Sequence, residues 1–184
     1  MKVIFIVVFL LFTFGAHSET LTEESLYQMN FELEDQDGTL LKFNSFQGKP
    51  ILIGMIYASC PHVCPLTIHN IKNTEQMLPD ELRRQLHVVL VSLDPETDTP
   101  AMLRQIAERQ KVDLTRWKFV RTDLNNVRKL AAVLGVRFRK LPDGEINHTT
   151  LVTLLNSEGE ITAKSEKMTN VDSAFLEEIA KILN

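Results

Sequence analysis

The amino-acid sequence predicts an α/β domain in which a central mixed β-sheet is flanked by helices. Two runs of strand length, Ile51 to Tyr57 and His87 to Leu93, are dominated by apolar residues, which is typical of strands buried on both faces. Helical patterns follow these runs, and strands that alternate with helices favour parallel pairing. The 184 residues are 44% hydrophobic and 24% charged, as expected for one globular domain with a short appendage.

Composition excludes some classes of function. With 20 Lys and Arg residues against 24 Asp and Glu residues, the formal net charge is −4, so the chain has no basic excess to hold a phosphate backbone. We therefore expect no nucleic-acid partner. The 2 cysteines are too few for a small domain held together by disulfides, so both need a local explanation.

Residues 1–18 have the features of a secretory signal peptide. Lys2 precedes the apolar run Val3 to Phe14, and small residues stand before a cleavage point after Ser18. An uncleaved membrane anchor is the less favoured alternative, because the run is shorter than the roughly 20 residues that span a bilayer. The segment therefore predicts an exported, periplasmic protein.

After the signal peptide we expect a linker over residues 19–30 and a single domain over residues 31–184. Export affects the cysteines, because an oxidising compartment closes neighbouring thiols into a disulfide unless a reductant or a metal keeps them apart. The redox state of the cysteines is therefore expected to be part of the function.

The first part of the domain is predicted to form a hairpin, a strand and a helix. Phe31 to Glu34 alternates apolar and polar residues, Asp35 to Gly38 has turn chemistry, and Thr39 to Leu41 resumes the extended pattern. Ile51 to Tyr57 follows as a buried strand. Pro65 to Met77 carries apolar residues at helical spacing and is predicted to be the first long helix.

The middle of the domain continues the alternation. His87 to Leu93 is predicted to be the second buried strand and Trp117 to Val120 the third. Between them, Pro100 to Gln110 is expected to be a helix, because Asp98 and Thr99 have the chemistry of N-terminal caps and proline suits the first helical turn.

The last part predicts a helix, a hairpin and a final helix. Asp123 to Leu134 is a helical pattern ended by Gly135, and Leu151 to Asn156 is expected to pair with Glu160 to Ala163 across a short turn. Val171 to Leu183 is an amphipathic helix. This order of elements predicts a thioredoxin-like sandwich: a central mixed sheet flanked by helices, with an N-terminal β-hairpin.

Cys60 and Cys64 lie where the first buried strand ends and the first long helix begins. Helix N-termini favour thiolate over thiol, and residues four apart can face the same side. A disulfide across so short a loop would stabilise the fold only modestly. The pair could instead be redox-active, with Cys60 attacking and Cys64 resolving, or it could bind a metal.

Two thiolates suit a soft ion such as Cu(I), and one imidazole would complete the set, whereas zinc would need a fourth ligand. Four histidines are candidates. His62 lies inside the cysteine loop and can reach a metal there, His69 points away around the helix, and His87 opens a buried strand. His148 precedes the strand that lies beside the dithiol in a thioredoxin-like fold, so its position favours it as the ligand.

Charged residues also gather near this end of the predicted sheet. Asp94 and Glu96 follow the second buried strand, at the edge where open α/β sheets bind ligands, and are expected to shape a partner-facing surface. Arg137, Arg139 and Lys140 form a basic run that is either a solvated face or a contact for an acidic partner.

Three motifs together are similar to the Sco/SenC family of copper proteins: Tyr57 to Pro65, Val91 to Pro100, and His148 before a strand. The resemblance implies a thioredoxin-like fold and copper, as Cu(I), Cu(II) or both, bound by Cys60, Cys64 and His148. It also implies a role in assembling the CuA site of cytochrome c oxidase. The implied partners are subunit II of that oxidase or another cuproprotein, a periplasmic thiol reductant and other copper chaperones.

Two departures from the family pattern affect these expectations. Many members carry Asp directly before the histidine, whereas this chain has Asn147, so copper affinity is expected to be lower. Members are also commonly held by a transmembrane helix, which a cleavable signal peptide would replace. The favoured hypothesis is a periplasmic copper chaperone, and the alternative is a thiol:disulfide oxidoreductase that reduces cysteines of the oxidase copper site or of another exported protein. A peroxidase is disfavoured, because the sequence shows no recognisable pocket for peroxide.

Overall fold

The computed structural model describes residues 21–60 and 63–184, with the backbone alone for Val63 and Cys64. The predicted signal peptide and His62 lie outside these ranges. The strands and helices, in chain order, are β1 (Glu32–Asp35), β2 (Leu40–Lys42), β3 (Ile51–Ile56), α1 (Val63–Gln76), α2 (Asp80–Gln85), β4 (His87–Ser92), α3 (Pro100–Gln110), β5 (Trp117–Arg121), α4 (Leu124–Leu134), β6 (Phe138–Lys140), β7 (Ile146–His148), β8 (Val152–Leu155), β9 (Ile161–Ser165) and α5 (Ser173–Leu183).

Seven of these strands form one sheet in the order β2-β1-β5-β4-β3-β8-β9. The central strands β3, β4 and β5 pair in parallel, whereas β1 and β8 pair antiparallel at the two sides of this centre. The predicted α/β class with a mixed sheet and an N-terminal hairpin is therefore confirmed. Because β3 and β4 are parallel, the segments that follow them emerge at the same edge of the sheet.

The core lies around the central strands, where every residue of β3 is buried, as predicted for a strand covered on both faces. Helices contribute apolar side chains to the same cluster, among them Ile68, Ile71, Leu103, Val127, Leu130, Phe175 and Ile179. No helix in residues 21–60 or 63–184 has both the length and the apolar character needed to cross a membrane.

Helix ends follow local chemistry with one difference from the prediction. Thr99 caps α3, its hydroxyl accepting from the Met102 N–H at 3.3 Å, while Asp98 turns into the protein instead. Both residues suit an N-cap, so only the tertiary contacts of Asp98 distinguish them. Gly135 ends α4 as predicted, with a left-handed φ of 86° that glycine adopts without strain.

The structure adds elements that the sequence pattern did not predict. Besides the short helix α2, β6 and β7 form a separate two-stranded sheet in which Phe138 faces His148 and Lys140 faces Ile146. Each of these strands has only three residues, too few for an alternating pattern to be recognised. Part of the predicted basic run is therefore a strand.

The segment before β1 packs onto the domain. Leu26 donates its N–H to the Gly159 carbonyl at 2.9 Å, and the buried Tyr27 donates its hydroxyl to the Phe46 carbonyl at 3.2 Å. Gly159 lies in the turn between β8 and β9. Since Leu155 at the end of β8 pairs with Ile51 at the start of β3, this contact is at the amino end of β3.

Candidate metal centre

The first predicted ligand, Cys60, lies just beyond the carboxyl end of β3. A turn joins it to the strand, with the Cys60 N–H donating to the Tyr57 carbonyl at 3.2 Å. The Cys60 side chain is half-buried. Helix α1 then begins at Val63. The cysteine motif therefore connects the end of a buried strand to the start of a helix, as the sequence predicts.

The backbone of Cys64 is the second residue of α1. The first N–H groups of a helix have no partner within it, and together with the helix dipole they favour negative charge nearby. The backbone of Cys64 therefore occupies a position at which the helix favours a negative charge. The positions of Cys64 Sγ and of His62 are not part of the described structure.

Apolar and polar side chains border Cys60 on the helix side. A cavity of about 70 Å³ is lined by Cys60, by Pro65 and Ile68 of α1, and by Ile106, Arg109 and Gln110 of α3. The apolar members of this lining shield Cys60 in part from water, and Arg109 adds a positive charge to the same cavity.

His148 ends β7 and is partly buried. Its Nδ1 lies 3.1 Å from the Thr149 carbonyl oxygen. Because a carbonyl oxygen only accepts hydrogen bonds, this contact places the proton on Nδ1 and leaves the lone pair on Nε2. Burial lowers the pKa of His148, outweighing the opposite effect of this hydrogen bond. The neutral ring with a free Nε2 is the form that binds metals.

Tyr57 connects the two ligand segments and was not singled out from the sequence. Its ring meets the His148 ring edge-on, with centroids 5.8 Å apart and an interplanar angle of 82°, while its carbonyl accepts from Cys60. This arrangement brings His148 to the carboxyl end of β3, where Cys60 lies. An aromatic residue at the end of a buried strand, directly before the cysteine motif, was the available signal.

The other two described histidines are placed elsewhere. His69 is exposed on α1. His87 opens β4, which runs parallel to β3 and pairs its first residue with Ile51, so His87 lies at the opposite end of the sheet from Cys60. Burial, together with the charges of Lys49 and Arg116, lowers the pKa of His87. His87 is therefore far from the cysteine motif, whereas His69 lies five residues after Cys64 on the same helix with its side chain exposed.

The acidic residues after β4 differ from the predicted partner-facing surface. Glu96 is exposed, but Asp94 is 6% exposed and Asp98 is fully buried. Asp98 Oδ2 accepts from the Ala58 N–H at 3.0 Å and from the Ser92 hydroxyl at 2.6 Å. Burial raises the pKa of Asp98. Of the two residues expected to shape a partner-facing surface, Glu96 is therefore exposed and Asp94 is buried.

The basic run also behaves differently from a uniformly solvated face. Lys140 Nζ donates to both carboxylate oxygens of Asp94, at 3.0 and 2.8 Å. Arg137 and Arg139 remain exposed and, with Asn147, His148 and Thr149, line an open groove along the hairpin. Only part of the run is available to a partner.

Among the side chains that the structure describes, no three of His, Cys, Asp and Glu come close enough together to hold a metal ion. The Cys64 side chain is outside that set. The predicted ligand set of Cys60, Cys64 and His148 thus needs Cys64 to be complete.

Comparisons with a family model, with curated relatives and with solved structures all identify similar proteins of one family. A family model described as SCO1/SenC matches residues 19–184. A candidate copper-binding protein of Stutzerimonas stutzeri is 24% identical over 134 residues, which are 71% of this chain and 64% of that protein. The matched part therefore spans less than two thirds of that relative.

Solved structures share the fold. ScoI of Bradyrhizobium japonicum, with copper bound, has a TM-score of 0.68 and 24% identity over 83% of this chain and 97% of that one. BsSco, described as having a disulfide switch and as a member of the Sco family of cytochrome c oxidase assembly proteins, has a TM-score of 0.70 and 19% identity over 84% and 91%. These likenesses confirm the predicted thioredoxin-like fold, and the match of the family model to nearly the whole sequence shows that this chain belongs to the SCO1/SenC family.

Proposed function

We propose that this chain is a periplasmic copper chaperone that binds copper through Cys60, Cys64 and His148 and delivers it to the CuA site of cytochrome c oxidase. The observation that carries the proposal is the orientation of His148. Its Nδ1 faces the Thr149 carbonyl, so Nε2 keeps its lone pair, and its ring rests on the tyrosine that leads into the cysteine motif. A relative of the same fold has copper bound, and another is described as an oxidase assembly protein.

The ligand chemistry matches the cargo. Two thiolates and one neutral imidazole form a set that Cu(I) accepts, and the nitrogen ligand also suits Cu(II). Two observations support the binding state of the ligands: the helix start favours negative charge at the position of Cys64, and burial lowers the pKa of His148 and so favours its neutral form. A site at a sheet edge can pass its ion on by exchanging ligands one at a time with a target.

The test is an anaerobic Cu(I) competition titration of the fully reduced mature protein. We expect one copper per chain in the wild type and sharply weaker binding in Cys60→Ser and in His148→Ala. His69→Ala is the matched control, because His69 is exposed on α1 and its loss removes an imidazole without touching the proposed site. Equal affinity in His148→Ala and wild type would remove the histidine from the ligand set.

Delivery needs a separate measurement. Protein loaded with Cu(I) should metallate a reduced, copper-free fragment of oxidase subunit II that contains the CuA site. Samples taken during the transfer are oxidised by one electron per pair of copper ions with ferricyanide, and the purple CuA absorption should develop faster than with the same amount of free copper in the presence of a chelator. A chain that binds copper tightly but never transfers it to the fragment would be a copper store or sensor.

A thiol:disulfide oxidoreductase is the second candidate, favoured by the position of the cysteine pair at a helix start. In that reaction Cys60 would attack a substrate disulfide, and Cys64 would displace the substrate thiol, leaving a Cys60–Cys64 disulfide for a reductant to open. Turnover that is lost in Cys60→Ser but intact in His148→Ala would favour this function. The two functions use the same sulfurs, so copper should inhibit turnover if both exist.

Export by the N-terminal segment is part of the proposal and is supported by its sequence features, Lys2 followed by the apolar run Val3 to Phe14. Expression of the full chain should give a periplasmic protein whose N-terminus is Glu19. A membrane-bound product that keeps residue 1 would instead indicate an uncleaved anchor.

A further inference from the structure

The β6–β7 hairpin, which carries His148, is joined by strand pairing only within itself. Within the described residues, neither of its strands belongs to the seven-stranded sheet that positions Cys60. Only three residues connect β7 to β8 of that sheet, and the buried Ile146 packs into the core, so the location of the hairpin relative to the cysteine motif is fixed by these connections and by further side-chain contacts. One of these is the His148–Tyr57 ring contact already described, and a second lies on the opposite strand of the hairpin.

That second contact is the ion pair between Lys140 and Asp94. Lys140 is the last residue of β6, and two residues before it Phe138 faces His148 in the hairpin register. Its Nζ contacts both oxygens of the Asp94 carboxylate, whose side chain is only 8% exposed. Asp94 is largely shielded from water, whereas the Lys140 side chain is 50% exposed, so solvent screens the pair from one side only.

Asp94 is in turn joined to the segment that carries Cys60. Ser92 Oγ accepts from the Asp94 N–H at 3.0 Å and donates to Asp98 Oδ2 at 2.6 Å. The same Asp98 oxygen accepts from the Ala58 N–H at 3.0 Å, two residues before Cys60. The backbone closes the loop as well, because the Asp98 N–H donates to the Asp94 carbonyl at 2.8 Å. Ser92, Asp94 and Asp98 thus form one connected unit, which we call the acidic bracket.

We propose that the acidic bracket positions His148 relative to Cys60. It contacts the β6–β7 hairpin through the ion pair of Asp94 with Lys140, and it contacts the segment that leads to Cys60 through the hydrogen bond of Asp98 with Ala58. This rests on the proposed function, since it concerns the geometry of the proposed copper ligands. It also gives the acidic motif after β4 a role that neither capping nor a partner-facing surface supplies. The members of the bracket are positioning residues and make no contact with the copper itself.

The first arm of the test uses the metal-free, reduced protein. Aromatic ring currents shift the resonances of nearby protons, so the His148 ring protons report whether the ring still lies against Tyr57. We expect Lys140→Met to move these resonances toward those of an exposed histidine, and Lys140→Arg to restore them. Arg139→Gln is the matched control, because it removes one positive charge from the neighbouring, exposed position of the same strand.

The second arm measures Cu(I) affinity by competition. We expect Lys140→Met to weaken binding about tenfold, as is common for groups that orient a metal ligand. Ser92→Ala should weaken it in the same direction by unlinking the two carboxyl groups, with the exposed Thr97→Ala in the same loop as its control. In a His148→Ala background neither substitution should change affinity further, because the bracket would then have no ligand to position.

The two arms separate this inference from the proposed function. If the wild type binds no copper, the proposed function fails, while the ring-proton shifts still decide whether the bracket holds the hairpin. If Lys140→Met leaves both the ring-proton shifts and the copper affinity equal to those of Arg139→Gln, the bracket does not position His148. An affinity loss that persists undiminished in the His148→Ala background would likewise overturn the inference, since it would reflect general damage to the fold.

Discussion

The two segments that would supply copper ligands are held in different ways. The cysteine segment continues from β3, a fully buried strand with a backbone ladder on both edges. The histidine segment is a short hairpin outside the main sheet, attached by the buried Ile146, an ion pair, a ring contact and a three-residue connection to β8. A backbone ladder positions the first segment, whereas side-chain contacts and a short connection position the second. We therefore expect the cysteines to sit on a rigid support and the histidine on an adjustable one.

The largest expected effect is a loss of stability when a buried ion pair of helix α1, which follows the cysteine motif, is removed. Glu75 of α1 is buried and accepts from Arg116 at 2.6 Å and from the Trp117 indole at 3.1 Å. Arg116→Met leaves this carboxyl buried without its charge partner and should lower the free energy of unfolding by about 3 kcal/mol. Urea unfolding of the variant and the wild type measures the difference.

The pH dependence of that variant sharpens the prediction. Burial raises the pKa of Glu75, against the opposing effect of Arg116, so the folded state favours the protonated form more than the unfolded state does. Removing Arg116 should raise the pKa further. A raised carboxyl pKa gives stability that is present at low pH and lost as pH rises, so the deficit of Arg116→Met should be smaller at pH 5 than at pH 8. A deficit that grows on acidification would contradict the assignment.

The next effect concerns the end of the sheet away from the proposed copper site. An added Cβ at Gly159 would lie 2.5 Å from Tyr27 Cδ2, and the φ of 83° strains any other residue. Gly159→Ala should therefore cost about 2 kcal/mol of stability. Copper affinity at a temperature where the variant is folded should not change. A parallel loss of affinity would mean that the two ends of the sheet are coupled.

A smaller effect, on copper affinity, is expected from changing the ring contact that holds the His148 hairpin. Tyr57→Leu keeps an apolar side chain but removes the ring that meets His148, and such ring contacts contribute about 1 kcal/mol beyond burial. If the whole free energy of this ring contact serves to orient the imidazole, Cu(I) affinity should fall about fivefold. Tyr57→Phe keeps the ring and should lose less. Equal losses in both variants would point to the hydroxyl group instead.

The smallest effect should come from Asn147, which faces Arg139 across the hairpin and is exposed. Asn147→Asp places a negative charge beside His148, but water screens it. We expect a gain in Cu(II) affinity of about threefold at low salt, fading as ionic strength increases. Asn147→Ser, which adds no charge, is the control. A gain that is independent of salt would indicate direct ligation by the new carboxylate.

Local pattern predicted the rigid part of the molecule and missed the adjustable part. The run from Ile51 onward identified β3 because apolar continuity reports burial directly, and glycine at 135 marked the end of α4. The strands β6 and β7 are too short to show a period. Predicted placement of His148 near the cysteine motif depended on the fold, and its ring does lie on Tyr57, which leads into that motif.

The acidic residues show where sequence reasoning ends. Asp98 and Thr99 offer equivalent capping chemistry, and only the packed structure shows that Thr99 caps while Asp98 reaches Ala58, 40 residues earlier. Likewise nothing local pairs Lys140 with Asp94, which are 46 residues apart. Contacts of this kind are set by the tertiary fold. The assignment of Cys60, Cys64 and His148 as ligands remains a prediction to be tested by the titration.

The hydrogen bond between Leu26 and Gly159 determines which end of the sheet would face a membrane to which the domain was connected through its N-terminal segment. That attachment is at the amino end of β3, whereas Cys60 is beyond its carboxyl end, so the 6 residues of the strand separate them by about 20 Å. A chain that leads from Leu21 to a membrane surface would therefore point the cysteine motif outward, toward approaching partners. Such a tether would leave Cys60 uncovered, and its length would set the distance between the cysteine motif and the membrane.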